Sequence, residues 1–95
     1  MKAICLVQIQ IRDAEGFKGY MERAPQTVRQ YGGRHVVRGG RTVTLEGPTN
    51  TTRNVVIEFD TVADAERWYN SPEYQDAKKY RDPNSDTSII VIEVP

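Results

Sequence analysis

The chain has 95 residues, and its 13 basic and 13 acidic side chains cancel to a net charge of zero. This balance argues against nucleic acid or an anionic membrane as a partner, because both are bound through clustered positive charge. A single cysteine excludes an intrachain disulfide, and no apolar run approaches the ~20 residues that span a bilayer. We therefore expect a cytoplasmic protein that forms one domain over residues 1–95.

The segment from Lys2 to Ile11 alternates with the two-residue period of a β-strand. One side of this strand is apolar throughout and carries Ala3, Cys5, Val7, Ile9 and Ile11. The other side is apolar only at Ile4 and Leu6 and is polar at Gln8 and Gln10. We expect the first side to face the core, where the thiol of Cys5 would be inert.

An amphipathic helix is predicted next, beginning after Asp13, a residue type that favours the N-cap position. Gly32 predicts its C-terminal end. Pro25 lies inside this pattern, where it lacks an N–H and its ring collides with the carbonyl of Met21. The sequence therefore predicts a kink or a break near Ala24.

Arg34 to Glu46 is predicted as a strand that Gly39-Gly40 interrupts, a pair that favours a bulge or a close approach to the backbone. The loop from Gly47 to Asn50 joins it in a hairpin to the next strand. The expected antiparallel register places Val43 beside Ile57.

The same register pairs the carboxylate of Glu58 with Arg41 across the hairpin. It leaves open whether His35 or Arg38 faces the helices, because one bulged residue reverses the side on which each projects. A bulge at the double glycine turns Arg38 toward the helices, whereas a regular strand turns His35 toward them. We expect only one of these two side chains to face a cleft between the helices and the sheet.

Thr61 and Ser71 each have the side chain of an N-cap, and Pro72 suits the first helical position, so two consecutive short helices are predicted. A polar loop begins at Arg81. Ile89 to Val94 follows as a strand that is apolar on both sides apart from one glutamate, which predicts a central position in the sheet.

This order of elements predicts an α+β fold of the ferredoxin-like type: a βαββαβ sandwich in which two helices cover one face of an antiparallel four-stranded sheet. The other sheet face mixes apolar with polar side chains and includes Ile4, Leu6, Val56, Ile90, Ile92, Gln8, Gln10 and Thr44. Such a mixture favours burial against a second copy, so we expect a homodimer formed through the sheet faces.

Five blocks of sequence, in order, resemble the domain-of-unknown-function family 1330 of the dimeric α/β-barrel superfamily. They are Tyr31-Gly32-Gly33-Arg34, Arg38-Gly39-Gly40, Leu45-Glu46-Gly47, Val56-Ile57-Glu58-Phe59 and the run from Trp68 to Gln75. The resemblance covers nearly the whole chain and implies a ferredoxin-like subunit paired into a dimeric α/β barrel. Related families on this fold include cofactor-independent monooxygenases and lactone isomerases.

Three residues are candidates for catalysis. His35 is the only side chain whose ordinary pKa lies near neutrality, so it is the first candidate for a general base, although a lone strand histidine is also often structural. Arg38 has the fork that holds a carboxylate or an enolate, or it forms a surface ion pair. Tyr20 is an alternative proton donor.

Six further residues are candidates for substrate binding: Trp68, Tyr69, Tyr74, Ser71, Arg81 and Gly39. The aromatic rings suit the wall of a small-molecule pocket, but their helical spacing equally suits a core. Ser71 is best explained as a helix cap. Arg81 is interpreted either as a group that closes over an anionic ligand or as a solvated loop arginine, and Gly39 as a point where a ligand approaches the backbone.

One histidine, one cysteine and no glycine-rich phosphate loop predict neither a metal nor a cofactor. The leading hypothesis is a cofactor-independent enzyme or binding protein with a pocket between helices and sheet. Its chemistry would be proton transfer, isomerisation or a monooxygenase-like reaction on an oxo or aromatic substrate. The alternative is a noncatalytic dimeric module whose aromatic residues form the core.

Overall fold

The computed structural model describes residues 1–95. It contains, in chain order, β1 (Ala3–Ile11), α1 (Ala14–Gln30), β2 (Arg34–Arg38), β3 (Arg53–Phe59), α2 (Val62–Tyr69), α3 (Pro72–Arg81), a short 3₁₀ turn (Asp82–Asn84) and β4 (Ser85–Glu93). The predicted caps are present: Asp13 accepts hydrogen bonds from backbone N–H groups of α1, as Thr61 does for α2 and Ser71 for α3. The three helix starts predicted from N-cap residues are therefore confirmed.

The four strands form one antiparallel sheet in the order β2-β3-β1-β4. The apolar side of β1 is buried beneath the helices, whereas its other side is only partly covered. This arrangement confirms the predicted α+β ferredoxin-like fold. Its core contains fourteen buried side chains, of which the bulkiest are Trp68, Tyr74, Phe17 and Phe59.

Helix α1 runs through Pro25 without interruption. Of the two predicted outcomes, a kink or a break near Ala24, the break is therefore wrong. A proline inside a helix removes a single backbone hydrogen bond. Phe17 and Val28, on either side of it, are both buried in the core. Packing of the helix face therefore holds the two halves of α1 in one element despite the loss.

The predicted hairpin register is wrong, because β2 ends at Arg38 and residues 39–52 form no strand. Gly39 and Gly40 have φ angles of 73° and 113°, which are incompatible with a continuing strand. Ile57 therefore pairs with His35 rather than with Val43. Glu58 accepts hydrogen bonds from Lys2 Nζ at 2.6 Å and Arg34 Nη2 at 2.9 Å, not from Arg41.

Strand β4 lies at an edge of the sheet. The central position predicted from its two apolar sides is therefore wrong. Its two sides are apolar for different reasons. Ile89 packs against the core beneath the helices, whereas Ile90 and Ile92 project from the opposite face and are 53% and 48% exposed. The apolar pattern thus reflects two separate surfaces.

An apolar row crosses all four strands on the face that carries no helix. Val37 pairs with Val56, Val56 with Leu6 and Leu6 with Ile90. We call this row the open-face row. Thr44, which was expected on this face, lies outside the sheet. No helix combines the length and the apolar character that a membrane crossing requires.

Candidate functional site

A cleft opens between α1 and the sheet, and its cavity volume is about 50 Å³. Its floor is apolar and comes from β1 and β3, including Val7 and Ile57. Its roof comes from α1, including Phe17 and Val28. Ten of the fourteen residues around it are hydrophobic, so the lining of the cleft is largely apolar.

His35 and Arg38 both line this cleft, so the expectation that only one of them does is wrong. His35 pairs with Ile57, and Arg38 pairs with Val55, two residues earlier on β3 and therefore on the same face. The register shift between these pairs leaves Val36 as a bulged residue. The bulge lies between the two candidates rather than at the double glycine, and it brings both onto the helix side.

The imidazole of His35 has a lowered pKa. Partial burial is the main cause, and the positive charges of Arg38 and Arg29 add to it. From an ordinary value of 6.5, this shift favours the neutral imidazole at pH 7. A neutral imidazole can accept a proton, which is what a general base at this position would need.

Tyr20 also lines the cleft, and its hydroxyl is tied to the core. The Tyr20 and Tyr74 hydroxyl oxygens are 2.8 Å apart, and Nη1 of Arg81 donates to the Tyr74 hydroxyl at 2.9 Å. Burial raises the pKa of Tyr20 above its usual range, opposed in part by the hydrogen bond between its hydroxyl and that of Tyr74 and by the charge of Arg81. Tyr20 is therefore a neutral phenol whose hydroxyl is paired with that of Tyr74.

Arg81 is not a solvated loop residue: it is the last residue of α3 and only 6% exposed. Besides donating to Tyr74, its guanidinium donates to the carboxylate of Asp82 from Nε at 3.2 Å and Nη2 at 3.0 Å. It lies outside the cleft that contains His35 and Arg38. The 3₁₀ turn after Arg81 replaces the start of the predicted loop.

The three aromatic substrate-binding candidates, Trp68, Tyr69 and Tyr74, lie in different environments. Tyr74 is fully buried and lines no cavity, and Trp68 is buried with its indole N–H donating to Thr27 Oγ1 at 3.0 Å. The Trp68 ring borders both the cleft and a second cavity, whereas Tyr69 borders only the second. Core packing therefore accounts for most of this aromatic group.

The second cavity lies between α2 and β4 and has a volume of about 280 Å³. Arg81 and Tyr69 are at its wall together with Ile89 and Val91. Tyr69 and Arg81 thus border a different space from the three catalytic candidates. The sequence placed them in one site because it could not show on which side of Trp68 each one lies.

Ser71 caps α3: its hydroxyl accepts from the Tyr74 backbone N–H at 3.1 Å and donates to the Trp68 carbonyl at 2.7 Å. Gly39 has a structural role that the sequence did not indicate. A Cβ atom at Gly39 would lie 2.5 Å from Nη1 of Arg53, so the glycine makes room for this guanidinium. Ser71 therefore stabilises the start of α3, and Gly39 provides space for the side chain of Arg53.

Arg53 is the cleft residue that sequence reasoning missed. It lies two and four residues before Val55 and Ile57, and this two-residue spacing already placed it on the helix side of β3. An apolar alternation does not by itself indicate a charged residue, although Arg53 has the same spacing as the apolar residues of this side. It adds a second guanidinium to the cleft beside Arg38.

No three side chains of the metal-binding types His, Cys, Asp and Glu come together. Cys5 is fully buried, and burial raises the pKa of its thiol to about 11. A thiol with this pKa remains protonated near neutral pH and is a poor nucleophile.

Solved structures with this fold include three that align over 99% of the chain. RPA0582, a protein of unknown function from Rhodopseudomonas palustris, is 21% identical with a TM-score of 0.78 over 82% of its own chain. SnoaB, a cofactor-independent oxygenase from Streptomyces nogalater, is 11% identical with a TM-score of 0.72 over 93% of its chain. A dimeric ferredoxin-like protein of unknown function from Jannaschia sp. CCS1 is 14% identical with a TM-score of 0.71 over its full chain.

Identities this low establish a shared fold and not a shared activity. No curated protein matches the chain. The family model of the domain of unknown function DUF1330 matches residues 2–95. The match spans all the elements that build the cleft, and the protein therefore belongs to the DUF1330 family.

Proposed function

We propose that the cleft between α1 and the sheet binds a small organic molecule and acts on it by acid–base chemistry without a cofactor. The observation that carries this proposal is the convergence of His35, Arg38 and Tyr20 on one open, largely apolar cleft. A base, a cation and a neutral hydroxyl donor are the groups that proton transfer at a carbonyl compound requires.

Each of the three groups has a defined role in this proposal. Neutral His35 removes a proton from carbon or oxygen of the substrate. Arg38 stabilises the negative charge that develops on the adjacent oxygen, and the Tyr20 hydroxyl donates a hydrogen bond to that oxygen or returns a proton. The substrate class is an oxo or aromatic compound. The reaction is an isomerisation, or a monooxygenase-like step in which the deprotonated substrate carbon reacts with dioxygen as the oxidant, one oxygen atom stays on that carbon and the other leaves as water.

SnoaB, which shares this fold, is described as a cofactor-independent oxygenase. This likeness of fold supports the proposal that the reaction needs no cofactor. The aromatic and aliphatic lining supports an apolar substrate body. A structural relative from Jannaschia is described as dimeric, and the open-face row of the present chain is apolar. We therefore include in the proposal a homodimer joined through the sheet faces.

The test is a ligand screen by thermal shift on the unaltered protein, with hits mapped by NMR to the imidazole of His35. Arg38→Gln is expected to weaken binding of a hit, or to lower its turnover, by roughly tenfold or more. The matched control is Arg41→Gln, which removes the same charge from an exposed residue outside the cleft. Equal binding and turnover in wild type and Arg38→Gln would refute the assigned role of Arg38.

The alternative function is a noncatalytic dimeric module, and a specific observation favours it. Trp68 and Tyr74, which the catalytic hypothesis counted as pocket residues, are at most 1% exposed and form the core. Binding without turnover of any hit, together with an unchanged structure in Arg38→Gln, would support this module.

A further inference from the structure

The cleft contains two guanidinium groups that have no carboxylate partner. Arg38 and Arg53 form no ion pair, and no aspartate or glutamate lines the cleft. The only side-chain hydrogen bond of either group is a long one, from Nη2 of Arg53 to the Arg38 carbonyl at 3.4 Å. Most of their donors are therefore available to a ligand.

The other arginines of the chain either have an acidic partner or are exposed to solvent. Arg34 lies 2.9 Å from Glu58, Arg81 lies 3.0 Å from Asp82, and three other arginines also have acidic neighbours. The two arginines that lack an ion pair outside the cleft, Arg29 and Arg41, are exposed to solvent. Arg53 differs from them because it is partly covered and lies against an apolar surface.

The sheet register brings the two cleft arginines together. Arg38 pairs with Val55, and Arg53 lies two residues before Val55 on the same face of β3, so the two arginines are diagonal neighbours. Gly39 leaves the space that the Arg53 guanidinium occupies. Two adjacent positive charges repel one another, and an anion between them would offset this electrostatic repulsion.

The lining of the cleft beyond the two arginines restricts the kind of anion that could bind between them. The side chains beyond the arginines are mainly apolar, among them Phe17, Val28 and Ile57. A small inorganic anion would leave these surfaces without a partner, and a ligand covered with hydroxyl groups would lose its hydrogen bonds to water there. An apolar body with one anionic group satisfies both parts of the site.

We infer that the cleft binds an amphiphilic organic acid, with its anionic oxygens between Arg38 and Arg53 and its aromatic or alicyclic body against the apolar lining. This inference rests on the proposed function, since it names the ligand class of the same cleft. It also assigns Arg53 as a residue that determines specificity by charge.

The test compares two probes of nearly equal shape, 2-naphthoate and 2-naphthamide, by titration calorimetry and by NMR of the His35 imidazole. The carboxylate is expected to bind at least about tenfold more tightly than the amide, because it forms charge-assisted hydrogen bonds to guanidinium groups. Added salt should reduce this preference. Arg53→Gln should lower naphthoate affinity by roughly tenfold and leave naphthamide binding unchanged, whereas Arg41→Gln should change neither.

Two results would overturn the inference. Equal affinity for both probes, with binding still sensed at His35, would refute the anionic class while leaving a ligand site in the cleft. Binding of neither probe at the cleft would overturn the inference together with the proposed ligand site. The probe comparison uses the unaltered protein, so it decides the matter even where Arg53→Gln fails to fold, which thermal unfolding would detect.

Discussion

His35 and Arg38 lie on the same side of β2, although the three-residue interval between them would place them on opposite sides of a regular strand. The bulged Val36 supplies the extra residue. Partial burial lowers the pKa of His35, and the positive charge of Arg38 on the same side of the strand lowers it further. This pairing of a neutral imidazole with an adjacent cation is the central feature of the candidate site.

The first prediction concerns the titration of His35. It is the only histidine of the chain, so its imidazole gives a single, unambiguous NMR signal. Its pKa should lie below 6.5, and Arg38→Gln should raise it because one of the positive charges that disfavour protonation is removed. Arg41→Gln should leave it unchanged. A pKa that does not respond to Arg38→Gln would contradict the proximity of the two side chains.

The second prediction follows from the same shift. Because the folded state lowers the pKa of His35, the unfolded chain binds the proton more tightly. The contribution of His35 to stability is therefore complete above pH 6.5 and is lost as the pH falls through the lowered pKa. Chemical denaturation of wild type and His35→Gln across this range should show that the substitution removes the corresponding pH dependence. Parallel pH profiles for the two proteins would refute it.

The third prediction separates the capping role of Ser71 from a role in binding. Ser71→Ala removes the acceptor for the Tyr74 N–H and the donor to the Trp68 carbonyl. Loss of such a cap should cost about 1–2 kcal/mol in the free energy of unfolding. Affinity for a cleft ligand should be unchanged, because Ser71 does not line the cleft. Stability unchanged by Ser71→Ala would show that the cap is dispensable.

The fourth prediction tests the open-face row. Ile90→Asp places a charge on an apolar surface, and two-fold symmetry would introduce that charge twice in a sheet-to-sheet dimer. Sedimentation across micromolar dilution should show a dimer for the wild type and a monomer for the variant. Val43→Asp, at an exposed residue outside the sheet, is the control. A wild-type protein that sediments as a monomer throughout would refute the proposed dimer.

The fifth prediction concerns the thiol of Cys5. Because Cys5 is fully buried and burial raises its pKa to about 11, alkylation by iodoacetamide at pH 8 should be very slow in the folded protein. The same reagent should modify the urea-unfolded chain completely. Rapid modification under native conditions would show that β1 is exposed by local opening of the helix layer.

Several features of the fold could be predicted from local sequence because they depend on neighbouring residues alone. Asp13, Thr61 and Ser71 cap helices through their own hydroxyl or carboxylate groups, and the alternation of β1 depends only on the period of a strand. The hairpin could not be predicted in the same way. Its register depends on where β2 ends, and the positive φ angles of Gly39 and Gly40 ended it earlier than the apolar pattern suggested.

The sequence by itself determined the order of elements, the ferredoxin-like fold and the side of β1 that is buried, because burial of an apolar face follows directly from residue spacing. Only the tertiary structure decided which charged groups share the cleft. Arg53 joined His35 and Arg38 there because a bulge and an interstrand register brought them together. These are long-range relationships between strands, and no local pattern along the chain encodes them.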